Sequence, residues 1–238
     1  MGPLKGIKVL EFSGIGPGPY CGMLLADMGA DVIRVNRIND KDKQNKFDIH
    51  NRSKRSIVAD LKNPNSINEL LKLISSVDVV FEGFRPGVME KLGLGPDECF
   101  KQNKALVYGR MTGWGQDGPM SKMAGHDINY IGLSGALHAI GKKDSNPTIP
   151  LNLIGDYGGG GMMLAMGILA AVISSMKTGK GQVIDSAMID GSLSLMSFFY
   201  SLKQVGFWQD ERESNFLDGA AHFYNTYQCS DNKYLAVG

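Results

Sequence analysis

One histidine in the sequence lies where an acid–base group would be useful, between a glycine and an aspartate. The segment Gly125-His126-Asp127 comes at the predicted start of a helix, where unpaired backbone N–H groups and the helix dipole favour negative charge. A histidine there can act as a general base, and the adjacent N–H groups can stabilise a developing oxyanion. A histidine with a purely structural role fits the same pattern, so both interpretations stay open.

A second residue that could do chemistry, Asp156, stands shortly before four consecutive glycines at 158–161. An apolar helix is predicted over 162–176, and because aspartate is a preferred N-cap, capping is one interpretation. The other is a carboxylate held beside backbone that a ligand approaches closely, since glycine permits such an approach. Neither His126 nor Asp156 decides the function alone.

The loop over residues 13–19 follows the first predicted strand and resembles a dinucleotide-binding fingerprint. The match is incomplete, because Pro19 stands where a third small residue belongs. The second strand is followed by Asn36-Arg37 instead of an acidic residue that would bind a ribose. The loop is therefore interpreted as a tight turn that leads a helix N-terminus toward a ligand.

Basic side chains follow several of the predicted strands. Ligands of open α/β sheets bind at the carboxyl ends of the strands, so some of these cations could converge on one polyanion. A solvated surface position is the alternative for each of them, and Arg85 is the best placed because it comes at a strand end. The residues are Arg37, Arg52, Lys54, Arg55, Lys62 and Arg85, with Lys41, Lys43 and Lys46 in a basic loop.

Strand and helix patterns alternate along most of the chain. This alternation predicts an α/β fold of the doubly wound, Rossmann-like class with a mostly parallel sheet. Strands are predicted over 7–12, 31–35, 56–61, 77–82, 105–110 and 182–187, and helices over 20–28, 65–75, 87–92, 126–138, 162–176 and 190–205.

The chain divides into three predicted parts. Residues 1–188 are expected to form the large domain, and residues 189–218 a linking helix and loop. Residues 219–238 read as the start of a smaller α+β domain, with a hairpin of strands over 222–228 and 233–237. Because a domain rarely ends on a strand, we expect the chain to be a shortened form of a longer protein.

Composition excludes several classes of protein. The 238 residues include 25 basic and 24 acidic ones, which gives a net charge of +1. The chain therefore lacks the excess of basic residues that is typical of nucleic-acid-binding proteins. Three separated cysteines, Cys21, Cys99 and Cys229, predict free, buried thiols and no metal site. The longest apolar stretch, 162–173, falls short of the roughly 20 residues of a membrane span, and no signal peptide is evident. A soluble, intracellular protein is predicted.

Segments along the whole chain together resemble the α-methylacyl-CoA racemase branch of the family III CoA-transferase superfamily, the CaiB/BaiF-like proteins. No single short pattern carries the resemblance, which makes it specific. It implies an isomerase that interconverts (2R)- and (2S)-2-methylacyl-CoA thioesters. The matching segments are 4–11, 17–21, 25–35, 54–57, 82–93, GHDINY at 125–130, DYGGG at 156–160 and GKGQVID at 179–185.

The resemblance also implies a role for each site residue. His126 and Asp156 would act on opposite faces of the α-carbon, one removing the α-proton and the other returning a proton. The enolate between them would be stabilised by backbone N–H groups near Asp127, and no metal or redox cofactor is implied. The CoA part is expected to contact Arg37, Val58, Ala59, Asp60, Leu61, Lys62, Arg85, Gly125, Ile128, Asn129 and Tyr130.

Two alternatives remain beside the racemase. The transferase branch has a carboxylate nucleophile at the position of Asp127, but here His126 precedes it, which is the racemase pattern. Members of the family are longer, form interlocked homodimers and support the histidine with a later carboxylate. The chain could therefore be an inactive fragment that binds CoA or forms dimers. The expected setting is branched-chain lipid metabolism, in a peroxisome or mitochondrion of a eukaryote or in bacterial cytoplasm.

Overall fold

A parallel sheet lies at the centre of the computed structural model, which describes residues 2–12, 14–38, 45 and 47–238. The predicted basic residues Lys41, Lys43 and Lys46, and Ser13 of the first loop, lie outside these described residues. Within them the sheet has six strands: β1 (Lys8–Phe12), β2 (Asp31–Arg37), β3 (Arg55–Ala59), β4 (Val79–Glu82), β5 (Val107–Thr112) and β6 (Gln182–Ala187).

The order of these strands across the sheet is β3-β2-β1-β4-β5-β6, and every neighbouring pair is parallel. This is the order of a doubly wound sheet, in which the chain reverses its direction of travel between β1 and β4. The predicted fold class is confirmed. The predicted strands differ from the observed ones by only one or two residues at their ends.

Apolar clusters cover both faces of the sheet. On one face, Val9 and Phe81 belong to a cluster with side chains of the helix that precedes β6 in the chain. On the other face, Leu10 and Tyr108 belong to a second cluster. Alternate residues of a strand point to opposite faces, so a strand buried on both sides must be apolar throughout. Several polar residues of the described strands are nevertheless buried, and two of them, Glu11 and Glu82, are carboxylates near the carboxyl ends of β1 and β4.

Helices flank the sheet. Three of them begin with a proline, Pro17, Pro64 or Pro96, at a position where the missing N–H costs nothing. The helix that begins at Pro96 is absent from the sequence-based prediction, although Pro96 with Asp97 and Glu98 in its first turn is a helix-start pattern. The helices are α1 (Pro17–Asp27), α2 (Pro64–Ile74), α3 (Val88–Lys91), α4 (Pro96–Gln102), α5 (Asp127–Leu133), α6 (Ala136–Ala139), α7 (Met163–Thr178), α8 (Met188–Leu195) and α9 (Ser197–Gln204).

Two long predicted helices are wrong, because each is divided in the structure. The helix expected over 126–138 ends at Ser134, and Gly135 with φ of 78° begins α6. A positive φ of that size is unstrained for glycine and costly for other residues. The helix expected over 190–205 is interrupted at Met196, which ends α8 and precedes α9.

The apolar helix begins earlier than predicted. A π-helical segment, Leu153–Met162, runs directly into α7. The resulting helix of 26 residues is long and apolar enough, by length and composition alone, to cross a membrane. The apolar stretch identified in the sequence, 162–173, is therefore shorter than the observed apolar helix. Its buried side chains, among them Leu164 and Ile168, belong to the core cluster on one face of the sheet.

A separate two-stranded antiparallel sheet follows, made of β7 (Asn225–Gln228) and β8 (Tyr234–Val237). The predicted hairpin is therefore present, with a first strand that begins later than expected. Cys229 in its turn is exposed, which corrects the prediction of three buried thiols, whereas Cys21 and Cys99 are buried and free. The division into domains at 188 and 218 stays a prediction.

Candidate functional site

The first turn of α5 follows β5 by way of the loop at 113–126. His126 is the N-cap residue of α5, and its own N–H donates to Asn129 Oδ1 at 2.9 Å. This bond fixes the backbone at the helix start, as in the reciprocal half of a capping box. The side chain of His126 is exposed, whereas that of the next residue, Asp127, is buried. The predicted helix start at His126-Asp127 is confirmed.

The buried Asp127 carboxylate joins α5 to the π-helical segment. Its Oδ2 accepts a 2.7 Å hydrogen bond from the N–H of Asp156, and the N–H of Gly155 interacts electrostatically with the same carboxylate. Burial raises the pKa of the Asp127 carboxyl, and these two N–H groups oppose the rise. The two predicted site segments, at 125–127 and at 156, are therefore tied together directly.

Asp156 does not cap a helix that begins at Met162, which corrects one interpretation of the sequence. It lies inside the π-helical segment and is half-buried. Its Oδ2 accepts a hydrogen bond from Asn152 Nδ2 at 3.1 Å. Gly16, with φ of 65°, faces the same oxygen so closely that an added Cβ would lie 2.9 Å away. The loop before α1 therefore forms one wall beside the Asp156 carboxylate.

The four glycines after Asp156 contact protein. A Cβ on Gly159 would lie 2.7 Å from the backbone N of Ser192 in α8, and a Cβ on Gly161 would lie 2.6 Å from the Pro17 carbonyl in α1. Both distances are too short for real atoms, so only glycine lets these three helices approach so closely. At these positions the structure does not support the interpretation that the glycines make room for a ligand.

Tyr130 is part of the scaffold beneath the start of α5. Its ring is buried and packs edge-to-face on Trp114, with ring centroids 4.7 Å apart. A Cβ on Gly125 would lie 2.8 Å from the Tyr130 ring, so glycine is required before His126. Burial raises the pKa of Tyr130 to about 12. Ile128, like Asn129, is exposed on the outer side of α5.

An aromatic group beside Asp156 was not anticipated from the sequence. Tyr157 packs on Tyr20 of α1 with ring centroids 4.8 Å apart, and on His50 at 5.6 Å. His50 lies in the short 3₁₀ helix Ile49–Asn51. Three chain segments that are distant in sequence thus meet next to the candidate carboxylate. No local pattern in the sequence could have shown this contact.

A cleft of about 1410 Å³ opens between the ends of β1, β2 and β4 and the segment that carries the 3₁₀ helix. Arg37 lines it, with its guanidinium carbon 5.6 Å from the centroid of the Phe84 ring, a cation–π distance. Other lining residues include Gly14, Ile15, Arg34, Asn36, Asn51 and Gly83.

The remaining residues expected to bind CoA are placed differently. Val58 and Ala59 line a separate cavity of about 420 Å³ against α2. Among the described residues, the lining of the large cleft does not include Asp60, Leu61, Lys62 or Arg85. The structure therefore brings four of the predicted cations to the large cleft, Arg37, Arg52, Lys54 and Arg55, but it does not bring the whole predicted CoA-binding set together.

Three of the predicted cations are paired with carboxylates. Lys54 Nζ donates to the buried Glu11 at 2.6 Å and to the Pro19 carbonyl at 2.9 Å. Burial raises the pKa of the Glu11 carboxyl, and the pairing with Lys54 opposes the rise. Arg52 Nε donates to Asp27 and Arg55 Nε to Asp31, each at 2.9 Å. These contacts link the walls of the cleft to α1 and β2.

Within the described residues, no group of three or more histidine, cysteine, aspartate or glutamate side chains could hold a metal ion. The candidate site instead consists of an exposed imidazole, a half-buried carboxylate and the buried Asp127 carboxylate that connects their segments. An imidazole and a carboxylate are suited to proton transfer.

The sheet is doubly wound and parallel, and the segments that carry His126 and Asp156 lie between its strands β5 and β6 in the chain. These features define an α/β protein of the Rossmann-like class. A model of CoA-transferase family III matches residues 4–238. The chain belongs to that family.

Relatives of known name agree with this assignment. The chain is 46% identical over 235 residues to the alpha-methylacyl-CoA racemase of Mus musculus, and 47% identical over 237 residues to that of Homo sapiens. Each match covers 99% of this chain and 61% of the relative, so the chain spans about three fifths of their length. The crystal structure of a CAIB/BAIF family protein from Brucella suis superposes with a TM-score of 0.86 at 30% identity, covering 98% of this chain and 65% of that one.

Proposed function

We propose that the protein epimerises 2-methylacyl-CoA thioesters, interconverting the (2R) and (2S) forms by removal and return of the α-proton. The identity of 46–47% to the two racemases supports this proposal. The observation that carries it is the 2.7 Å bond from the Asp156 N–H to Asp127, because that bond joins the segments of His126 and Asp156. Two acid–base groups on adjoining segments are what an inversion at carbon requires.

In this proposal His126 and Asp156 serve opposite faces of the α-carbon. The exposed imidazole exchanges a proton on one face, and the Asp156 carboxylate on the other. The thioester enolate formed between them gains stabilisation from N–H groups of the first turn of α5, including that of Asp127, since such groups have no partner within the helix. All reacting groups are side chains or backbone, so the proposed route needs no metal or redox cofactor.

The CoA part of the substrate is proposed to lie in the large cleft. Arg37 stacked on Phe84 offers a cation and an aromatic face there, a combination that suits a nucleotide with phosphate groups. Gly125 and Tyr130 shape the start of α5, next to the reacting carbon. Roles for Val58, Ala59, Asp60, Leu61, Lys62, Arg85, Ile128 and Asn129 in CoA binding stay proposals.

The position of Asp127 disfavours the transferase alternative. A carboxylate nucleophile must reach an acyl carbon, but Asp127 is only 5% exposed and its Oδ2 already accepts a hydrogen bond from the backbone of Asp156. An acyl–Asp127 intermediate trapped by hydroxylamine would nevertheless establish the transferase.

An interlocked homodimer and a peroxisomal, mitochondrial or bacterial cytoplasmic location belong to the same proposal. The support for a dimer is the large number of exposed apolar side chains on α9 and on the hairpin of β7 and β8. Because the chain spans about three fifths of the racemases, the activity is proposed for the whole protein.

Proton NMR of a 2-methylacyl-CoA in deuterated buffer tests the proposed function. We expect solvent deuterium to enter the α-position, and His126→Ala or Asp156→Ala to lower the rate of epimerisation by at least about 100-fold, the upper range for one acid–base group being near 10⁴. His222→Ala is the matched control, since His222 is an exposed histidine of the terminal segment. CoA binding without any α-proton exchange would instead indicate a non-catalytic binding fragment.

A further inference from the structure

We propose that the Asp127 carboxylate is a positioning residue that fixes the backbone of Asp156 and thereby directs the Asp156 carboxylate toward the substrate. This inference rests on the proposed two-base function. It goes beyond that function by giving the Asp127 side chain a task separate from that of its backbone N–H.

The π-helical segment leaves donors that need a partner. In such a segment each N–H bonds to a carbonyl five residues earlier, so the first N–H groups have no acceptor within the helix. Gly155 and Asp156 are the third and fourth residues of Leu153–Met162, and their N–H groups are among these unpaired donors. The Asp156 N–H donates to Asp127 Oδ2 at 2.7 Å, and the Gly155 N–H lowers the pKa of the same carboxyl. Asp127 therefore caps the π-helical segment from outside.

The cap is specific in its geometry. A Cβ on Gly155 would lie 2.8 Å from Asp127 Oδ2, so glycine at this position is required for the carboxylate to reach the two N–H groups. The Asp127 side chain is buried, and its other oxygen, Oδ1, has no hydrogen-bond partner among the described residues. A buried carboxylate with one unpartnered oxygen is energetically costly. That cost is offset at Oδ2 by a charge-assisted hydrogen bond from the Asp156 N–H.

Direct contacts hold the Asp156 side chain less firmly. Its Oδ2 accepts one 3.1 Å bond from Asn152 and faces Gly16, and the side chain is partly exposed. An aspartate carboxylate is only one methylene from its backbone, so fixing that backbone fixes the reach of the carboxylate. A misplacement of about 1 Å can lower the rate of catalysis by about 100-fold.

The first experiment measures α-deuterium incorporation separately from each epimer of a 2-methylacyl-CoA. Each base can remove the α-proton of only one of the two epimers. When one base is lost, the remaining base still exchanges the α-proton of its own epimer with solvent. We expect Asp127→Ala to slow exchange by about 100-fold for the same epimer that Asp156→Ala slows, and to leave the His126-dependent epimer much less affected. An equal loss for both epimers would contradict a role through Asp156.

Asp127→Asn provides a rescue by the conservative variant. The amide oxygen still accepts the Asp156 N–H, and a neutral acceptor keeps roughly half the strength of a charged one. We expect Asp127→Asn to stay within about tenfold of the parent rate, a change of about 1.4 kcal/mol. A nucleophilic Asp127 would lose its activity completely in the Asn variant, so complete loss would overturn the proposal.

A second measurement does not depend on activity. Hydrogen–deuterium exchange of the Asp156 amide, followed by NMR, reports on the contact itself. We expect exchange about tenfold faster in Asp127→Ala, since losing about 1.4 kcal/mol changes a local equilibrium tenfold. Asp78→Ala is the control, because Asp78 accepts a 2.8 Å bond from the Lys8 N–H at the other end of the sheet.

The two measurements separate the possible failures. If the parent chain incorporates no deuterium from either epimer, the proposed function fails for this chain, while the Asp156 amide still decides whether Asp127 fixes that backbone. If the amide exchanges at the same rate in the parent and in Asp127→Ala, the positioning role is wrong even when the chain is active.

Discussion

Adjacent residues at the site differ in their surroundings. His126 is exposed and Asp127 is buried, although the two residues are adjacent in the sequence. The helix start and the residue types were predictable from local pattern. The partner of Asp127 was not, because the backbone of residue 156 is 29 positions away and no local pattern specifies a contact with it.

Glu82, the last residue of β4, is a second buried carboxylate whose role is open to a direct test. It accepts a 2.6 Å bond from the Phe84 N–H and lies 3.4 Å from Arg110. Burial raises its pKa from 4.5 to about 7, against the opposing effects of Phe84 and Arg110. In the folded chain Glu82 thus holds its proton at pH values where the unfolded chain has lost it.

We expect the protein to lose stability as pH rises through about 7, because Glu82 must then ionise in a buried site. Its contribution is fully present below pH 4.5 and is lost as pH rises toward and through about 7. The raised pKa corresponds to roughly 3 kcal/mol at most, at about 1.4 kcal/mol per pKa unit. Urea unfolding of the parent and of Glu82→Gln between pH 5 and 8 measures the free energy of unfolding at each pH. In the variant, the part of the pH dependence that comes from Glu82 should be absent.

Glu90 offers a matched control for Glu82. It pairs with the same Arg110 at 2.7 Å, but its side chain is 45% exposed. Glu90→Gln should keep most of the pH dependence of the parent, because the Glu90 charge is the smallest of the effects on the pKa of Glu82. An unchanged slope in Glu82→Gln would show that Glu82 is ionised in the fold.

At the scale of elements, the π-helical segment depends on glycine. We expect Gly159→Ala to lower the free energy of unfolding by about 1–3 kcal/mol, because its Cβ would meet the backbone of α8 at 2.7 Å and overpacking has that cost. Chemical denaturation measures the change. Gly132→Ala is the control. A Cβ added at Gly132 in α5 would meet no described atom within 4 Å beyond the adjacent backbone of its own helix, so alanine should stabilise the helix by up to about 1 kcal/mol. Equal effects of the two substitutions would contradict the packing argument.

The sequence predicted strands better than helix boundaries, for a physical reason. A strand inside a parallel sheet is buried on both faces, so its apolar run is visible locally, as at β1 and β4. The four glycines at 158–161 have low helix propensity and read as a loop. They are helical because α1 and α8 pack against them, and this tertiary contact cannot be seen in a local pattern. The break at Gly135 was missed because helical spacing continues across it.

At the scale of the whole molecule, exposed apolar side chains are concentrated after α8. Phe198 in α9 is 52% exposed, and Val205 and Phe207 just beyond it are 66% and 74% exposed. In the terminal hairpin, Tyr234 and Leu235 are 73% and 55% exposed. Apolar surface of this extent marks an interaction site, and the proposed partner is a second copy of the chain.

We expect the chain to self-associate at micromolar concentration, with a sedimentation mass of about twice the 25.8 kDa of one copy. Phe207→Glu should weaken association by about tenfold or more, because burying a phenylalanine contributes about 1.5–3 kcal/mol and an unpaired carboxylate opposes burial. Met176→Glu is the control, since Met176 is 77% exposed but lies in the last turns of α7. A monomeric parent chain would contradict a dimer built from these residues, and equal weakening by both substitutions would place the interface elsewhere.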